Sequence, residues 1–135
     1  MIKQFVFDTN IIISAHLLKN SVSRKVYDMA FKKGLVLRSE KTFDELVVTF
    51  AKPKFDKYIS IKARIVAVNE FERRSILINV TDTIKACRDT KDDKFLSLAV
   101  TAKAECIVTS DEDLLILHPF KNISIITPAD FLKNF

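Results

Sequence analysis

The residues most able to do chemistry in this 135-residue chain are acids that stand at the ends of apolar runs. Asp8 follows the run Phe5–Phe7, and Asp111 follows the run that ends at Val108 and Thr109. An ionised carboxylate beside buried groups is unfavourable unless it is paired or binds a metal ion. Further acids at the edges of apolar runs are Glu45, Asp92, Asp93 and Asp113.

An acid cluster of this kind predicts a particular chemistry. Like charges in one cleft repel and raise each other's pKa unless a cation neutralises them. Carboxylates without histidine or thiolate are the ligand set of Mg²⁺ or Mn²⁺. Phosphoryl transfer is the reaction that such sites perform. The sequence alone leaves open whether these acids converge.

Each acid also has a simpler explanation. Asp8 or Asn10 could cap a helix that starts near Ile11. Asp92 and Asp93 could stand in a favourable first helical turn, where Thr90 with Asp93 resembles a capping box. Asp111 could serve a turn. Helical periodicity does not select Glu45, which points away from its helix's apolar stripe, so the pattern alone favours a solvated side chain.

Short apolar runs alternate with helical stretches along the whole chain. The predicted strands are Lys3–Phe7, Leu35–Arg38, Ile76–Val80, Glu105–Thr109 and Ser124–Ile126. The predicted helices are Ile11–Leu18, Ser23–Lys33, Glu40–Lys52, Ile61–Arg74 and Asp92–Ala104, with a last short helix that opens at Thr127-Pro128. Such alternation predicts a parallel sheet covered by helices on both faces, in one domain over residues 1–135.

Composition excludes several classes of site. Gly34 is the only glycine, so a phosphate-binding loop and a dinucleotide fingerprint are disfavoured. Two histidines and two cysteines match no zinc pattern. The net charge of +5 is compatible with an anionic partner such as nucleic acid. No apolar run approaches the ~20 residues of a membrane span, no signal-peptide layout begins the chain, and Cys87 and Cys106 suggest reduced thiols, so we expect a cytoplasmic protein.

The chain resembles a PIN domain over nearly its whole length. The segments that carry the resemblance are Asp8-Thr9-Asn10, Ser39 with Glu45, Lys52-Pro53-Lys54-Phe55, Arg88-Asp89, Lys91-Asp92-Asp93-Lys94-Phe95-Leu96 with Ala99 and Ala102, Ile107-Val108-Thr109-Ser110-Asp111-Glu112-Asp113-Leu114-Leu115, and Ile126-Thr127-Pro128-Ala129-Asp130-Phe131-Leu132. The resemblance implies a metal-dependent endoribonuclease with a three-layer α/β/α fold, in which helices flank a central, mainly parallel sheet.

The resemblance also implies the site. Its four core acids fall on Asp8, Glu45, Asp92 and Asp111. Asp93 is an adjacent candidate for the third acid, Asp113 is an auxiliary acid, Thr9 and Asn10 support the first acid, and Ser110 stands where many relatives have glycine or a basic residue. Asp8, Asp92 and Asp111 would hold one Mg²⁺ or Mn²⁺, and Glu45 would complete the site or hold a second ion. Candidates to contact the RNA backbone are Lys54, Arg88, Lys91 and Lys94.

Within the PIN domains, the chain resembles the toxins of type II toxin–antitoxin systems. This implies RNA as substrate and a cognate antitoxin as partner, and related domains also form homodimers. The alternative is a catalytically silent PIN-fold module that acts by binding a protein or RNA partner. A haloacid-dehalogenase-like phosphatase or a receiver domain would also place an Asp after its first strand. The phosphatase needs a second Asp where this chain has Asn10, so it is disfavoured.

Overall fold

A parallel sheet forms the centre of residues 2–135, the part of the chain that the computed structural model describes. Its strands lie in the order β3-β2-β1-β4-β5, and each neighbouring pair is parallel. The strand bounds are β1 (Lys3–Phe7), β2 (Gly34–Arg38), β3 (Ile76–Leu77), β4 (Cys106–Val108) and β5 (Ser124–Ile126).

Helices connect the strands and cover the sheet. Their bounds are α1 (Thr9–Leu17), α2 (Val22–Lys33), α3 (Glu40–Phe50), α4 (Ile61–Arg74), α5 (Asp93–Ala102), α6 (Glu112–Leu115) and α7 (Pro128–Asn134). Short 3₁₀ turns lie at Pro53–Phe55 and Thr90–Asp92. Within residues 2–135, every helix is too short or too polar to span a lipid bilayer.

Alternating side chains of β1 divide the core between the two faces of the sheet. Phe5 and Phe7 belong to one apolar cluster, which includes buried residues of α1, α2, α3, α4 and α7. Val6 belongs to the other, together with buried residues of α5 and with Leu114 of α6. Because successive side chains of a strand point to opposite faces, this division confirms the three-layer α/β/α fold.

The strand order places a topological switch point between β1 and β4. From β1 the chain proceeds to β2 and β3 on one side of the sheet, and later to β4 and β5 on the other. In open parallel sheets, ligands bind outside the carboxyl ends of the strands at such a point. Asp8 directly follows β1, and Asp111 lies three residues after the end of β4. The topology therefore brings these two acids to the position where a ligand is expected.

Some local predictions are confirmed and others are wrong. Ser39 caps α3, and Thr127 caps α7 with Pro128 in its first turn. The predicted capping box of Thr90 with Asp93 is wrong, because Asp92 precedes α5 without a side-chain cap. Strand β3 ends at Leu77, not Val80, since it lies at the sheet edge and pairs only with the end of β2. Cys87 and Cys106 are free thiols, as expected.

Gly34 is required by a close approach between chain segments. It follows α2 as predicted, but its backbone is extended and begins β2. A Cβ at this position would lie 2.2 Å from the carbonyl oxygen of Lys3 on the neighbouring strand. The only glycine of the chain therefore permits the β1–β2 pairing that orients the first acid-bearing strand.

Candidate metal centre

Three carboxylates converge at the carboxyl edge of the sheet. Asp92, Asp111 and Asp113 each offer one oxygen, and these oxygens all lie within 4.8 Å of one another. Asp92 ends the 3₁₀ turn before α5, Asp111 precedes α6, and Asp113 lies in the first turn of α6. The Asp113 N–H donates to Asp111 Oδ1 at 2.9 Å, which fixes the orientation of that carboxylate.

Thr109 connects the first acid to this cluster. Its hydroxyl donates to Asp8 Oδ2 at 2.7 Å and accepts a hydrogen bond from the Asp111 N–H at 3.0 Å. Thr109 is fully buried, and Asp8 is only 5% exposed. Asp8 stands at the position before α1, but its side chain makes no helix-capping hydrogen bond. A capping role therefore does not explain this buried carboxylate.

The electrostatics of the site disfavour the fully ionised state. Burial raises the pKa of Asp8, and the charges of Asp111 and Glu45 raise it further, against the Thr109 hydrogen bond and the nearby backbone of Asn10, which lower it. Burial, followed by the contact with Asp111, raises the pKa of Asp92 to about 7. Among the residues that the structure describes, Asp92 Oδ2 is buried and has no hydrogen-bond partner. These carboxylates therefore lack a compensating positive charge.

Glu45 lies beside the cluster with partners of its own. The Thr9 hydroxyl donates to Glu45 Oε2, and the Lys94 ammonium forms an ion pair with Glu45 Oε1. The side chains of Glu45 and Lys94 are 25% and 19% exposed. The prediction from periodicity alone, that the Glu45 side chain is solvated, is therefore wrong. Glu45 faces inward from α3, and its charge acts on Asp8.

The structure places Asp93 away from the three converging carboxylates. Asp93 Oδ1 accepts hydrogen bonds from the N–H groups of Ala86 and Cys87, at 3.1 and 2.8 Å. Asp93 thus holds the irregular segment before α5 against the helix. A metal-binding role for Asp93 stays a prediction, and the geometry favours Asp92 as the third acid.

Asn10, Ser110 and Arg88 are exposed residues next to the site acids. The Asn10 and Ser110 side chains are exposed, and their supporting roles stay predictions. Arg88 Nη2 lies 2.8 Å from Asp113 Oδ1, but the Arg88 side chain is 87% exposed. Asp113 therefore already has a solvated counter-charge, whereas the described residues leave the buried Asp92 oxygen without a partner.

The comparisons with known proteins agree with this geometry. A model of the PIN domain matches residues 4–113. This chain belongs to the PIN domain family. It is 31% identical, over an alignment of 140 positions, to an uncharacterized protein of Methanocaldococcus jannaschii, MJ1680, with 96% of this chain and 90% of that protein covered.

Two solved structures share the fold of this PIN domain. One is a chain of VapBC2 from Rickettsia felis, bound to a DNA fragment from its promoter, with a TM-score of 0.62 and 14% identity over 92% of this chain and 98% of that chain. The other is PAE2754 from Pyrobaculum aerophilum, with a TM-score of 0.64 and 12% identity over 97% of this chain and 88% of that chain. PIN domain proteins are generally nucleases.

Two contacts in this PIN domain were not predicted from the sequence. The sequence predicts Thr109 as a strand residue within the family motif. Its position directly after β4 and two residues before Asp111 is the signal that it could contact both Asp8 and Asp111. Lys94 was a candidate for RNA contact, whereas its ammonium pairs with Glu45 across 49 residues of sequence. Only the packing of α3 against α5 reveals that contact.

The residues present fit a divalent cation of the Mg²⁺ or Mn²⁺ type. The donors are all carboxylate oxygens, three of them already converge, and one buried oxygen has no partner. Hard divalent cations prefer this donor set. A cation at this position would offset the burial and the repulsion that together raise the pKa of Asp92.

Proposed function

We propose that this PIN domain is an endoribonuclease that depends on Mg²⁺ or Mn²⁺. The observation that carries the proposal is the convergence of Asp92, Asp111 and Asp113 at the switch point, with Asp8 joined to them through Thr109. The orphaned Asp92 oxygen supports a cation there. The preference for RNA rests on the family resemblance.

Each acid has a distinct role in this proposal. Asp8, Asp92 and Asp111 would hold the ion, and Asp113 would assist from the first turn of α6. The ion, when bound, would acidify a water molecule and stabilise the charge that develops on the scissile phosphate. Thr109 fixes the carboxylate of Asp8, and Glu45, paired with Lys94, lies beside it.

A groove along the start of α5 is a candidate surface for a polyanionic substrate. It has a volume of about 980 Å³ and lies between the start of α3, the segment after β3 and the start of α5. Its lining includes the lysines Lys41 and Lys85, the Glu45-paired Lys94, and the acids Glu40 and Asp93. Lysines contribute phosphate affinity that weakens as salt concentration rises. The net charge of +5 acts in the same direction.

We also propose that the protein is the toxin of a toxin–antitoxin pair and is held by a protein antitoxin. The resemblance to such toxins and the shared fold with a chain of VapBC2 support this. An apolar groove of about 300 Å³ between α3 and α4 is a candidate contact surface for a protein partner. Val47, Ile61 and Ile65 beside it are 43%, 53% and 55% exposed.

Substitution of the central acids tests the nuclease proposal. Asp8→Asn and Asp111→Asn should each lower Mn²⁺-dependent RNA cleavage by roughly 100-fold or more, the scale of losing one electrostatic stabiliser. Asp130→Asn is the matched control, because Asp130 is an exposed acid of α7. Undiminished cleavage by both site variants would refute the site. Absence of Mn²⁺ binding at millimolar concentration would instead favour the silent binding module.

A further inference from the structure

Lys94 stands in an unfavourable position for a free cation. It is the second residue of α5, where the partial positive charge of the helix N-terminus repels an ammonium group. Its side chain is also mostly buried, at 19% exposure. A lysine that served only as surface charge would extend into water, so its place must be offset by a nearby acid.

Glu45 is that acid, and each oxygen of its carboxylate has a partner. Lys94 takes Oε1, and the Thr9 hydroxyl takes Oε2. By contrast, Asp92 has a buried oxygen without a hydrogen-bond partner in residues 2–135. The acids of the site therefore differ, since Glu45 has the partly buried Lys94 as a counter-charge and Asp113 has the solvated Arg88, whereas the buried Asp92 oxygen is left unsatisfied by the described residues.

We propose that Lys94 is a positioning residue that neutralises Glu45 as a fixed cation, so that the acid cluster takes up one divalent ion and not two. Without the ammonium group, the Glu45 carboxylate would be a free ligand next to Asp8, whose pKa it already influences. Two divalent ions at a short distance need such bridging or flanking carboxylates. This inference rests on the proposed function, since it concerns the same metal site.

The test is the number of Mn²⁺ ions bound per chain, measured by calorimetry and by loss of the free Mn²⁺ electron paramagnetic resonance signal. The intact wild-type protein should bind one ion. Lys94→Met should bind two, because Glu45 becomes available. The double variant Lys94→Met with Glu45→Gln should return to one ion, and Lys94→Arg should keep one.

Lys91→Met is the matched control, because Lys91 is an exposed lysine of the adjacent turn and should leave the stoichiometry at one. Thermal unfolding checks that each variant folds. If Lys94→Met does not fold, Lys94→Gln replaces it, since glutamine keeps a donor for Glu45 but removes the charge. This readout does not depend on RNA cleavage, so a purely structural ion pair would leave it unchanged.

Two ions in the wild-type protein, or one ion in a folded Lys94 variant without the positive charge, would overturn the inference. Asp92→Asn separates this outcome from failure of the proposed function. If Asp92→Asn abolishes Mn²⁺ binding, the proposed metal site is supported, whatever number of ions the wild type and the Lys94 variants bind. If it leaves binding unchanged, the metal site itself is wrong.

Discussion

Two buried charged side chains, Arg64 and Asp92, have opposite surroundings in this fold. Arg64 lies in α4, is 3% exposed, and donates to the carbonyl oxygens of Phe50, Lys52 and Ile59. Its guanidinium also pairs with Asp56 at 2.7 Å. Asp92 is 9% exposed, has an oxygen without any partner, and lies among carboxylates of the same charge.

The contrast separates a structural charge from a functional one. Buried polar groups in folded proteins are nearly always hydrogen-bonded, so the satisfied Arg64 stabilises the turn that joins α3 to α4. An unsatisfied acid among like charges reduces stability. An unsatisfied buried carboxylate is compatible with a stable fold when a bound cation supplies the missing positive charge. The predictions below test this difference, from the largest expected effect to the smallest.

Removal of the Arg64 guanidinium should lower the free energy of unfolding more than any other change considered below. Arg64→Met leaves the carbonyl oxygens of Phe50 and Ile59 without this donor, whereas the Lys52 carbonyl keeps a hydrogen bond from the Phe55 N–H. Each unsatisfied buried acceptor costs roughly 1–3 kcal/mol. We expect a loss of about 3 kcal/mol in the free energy of unfolding, measured by urea denaturation. Arg73→Met in the same helix, at an exposed position, is the control and should change stability by less than about 0.5 kcal/mol. A loss below 1 kcal/mol for Arg64→Met would contradict the structural role.

Substitution of Asp92 should affect cleavage, and substitution of its neighbour should not. We expect Asp92→Asn to lower Mn²⁺-dependent RNA cleavage by roughly 100-fold or more, because it removes a charge from the site. Asp93→Asn should retain cleavage within a few-fold, since asparagine can still accept from Ala86 and Cys87. Equal losses in both variants, with both folded, would show that the two acids share the role.

The metal-free protein should lose stability as the pH rises through the pKa of Asp92. The folded pKa of about 7 lies above the ordinary value of 3.8, so the folded state keeps a proton that the unfolded state releases between these values. Rising pH therefore lowers the free energy of unfolding across this range, and the loss is complete above about pH 7.

Asp92→Asn should remove this fall in the free energy of unfolding, because asparagine does not ionise. In EDTA the variant should exceed the wild type by at least about 1.4 kcal/mol above pH 7, which is the value of one pKa unit, and should differ little near pH 4. Urea denaturation at both pH values measures the difference. A variant that is less stable than the wild type at pH 8 would show that the ionised Asp92 is satisfied in the fold.

The smallest effect should come from Arg88, whose pair with Asp113 is solvated. Arg88→Gln should change the free energy of unfolding by less than about 1 kcal/mol, as exposed ion pairs do. Chemical denaturation in low and high salt measures it. A loss as large as that of Arg64→Met would mean that the Arg88–Asp113 contact is not an ordinary surface pair.

The sequence predicts the parts of this fold that depend on local pattern. The bounds of β1, β5 and α4 agree with prediction to the residue, because each is marked by a clear apolar pattern and flanking signals. The short α6 was not predicted, since four residues carry too little periodicity. Asp8 and Asp111 could be placed at one sheet edge because the carboxyl ends of parallel strands share that edge.

The sequence could not predict contacts that depend on packing between distant elements. The partners of Glu45 come from α1 and α5, so the periodicity of α3 alone gives the wrong environment for it. Asp92 and Asp93 are adjacent and of the same type, and the pattern does not distinguish them. They differ only because one carboxylate turns toward Asp111 and the other toward the backbone of residues 86–87.

The central claim is that the acids at the switch point hold a divalent cation. A crystal soaked in Mn²⁺ and measured near the manganese absorption edge tests this most directly. We predict an anomalous peak in contact with oxygens of Asp92 and Asp111, with Asp8 in the same coordination sphere and Lys94 still paired with Glu45. Absence of a peak at millimolar Mn²⁺, or a peak bound by Asp93 and not by Asp92, would contradict the claim.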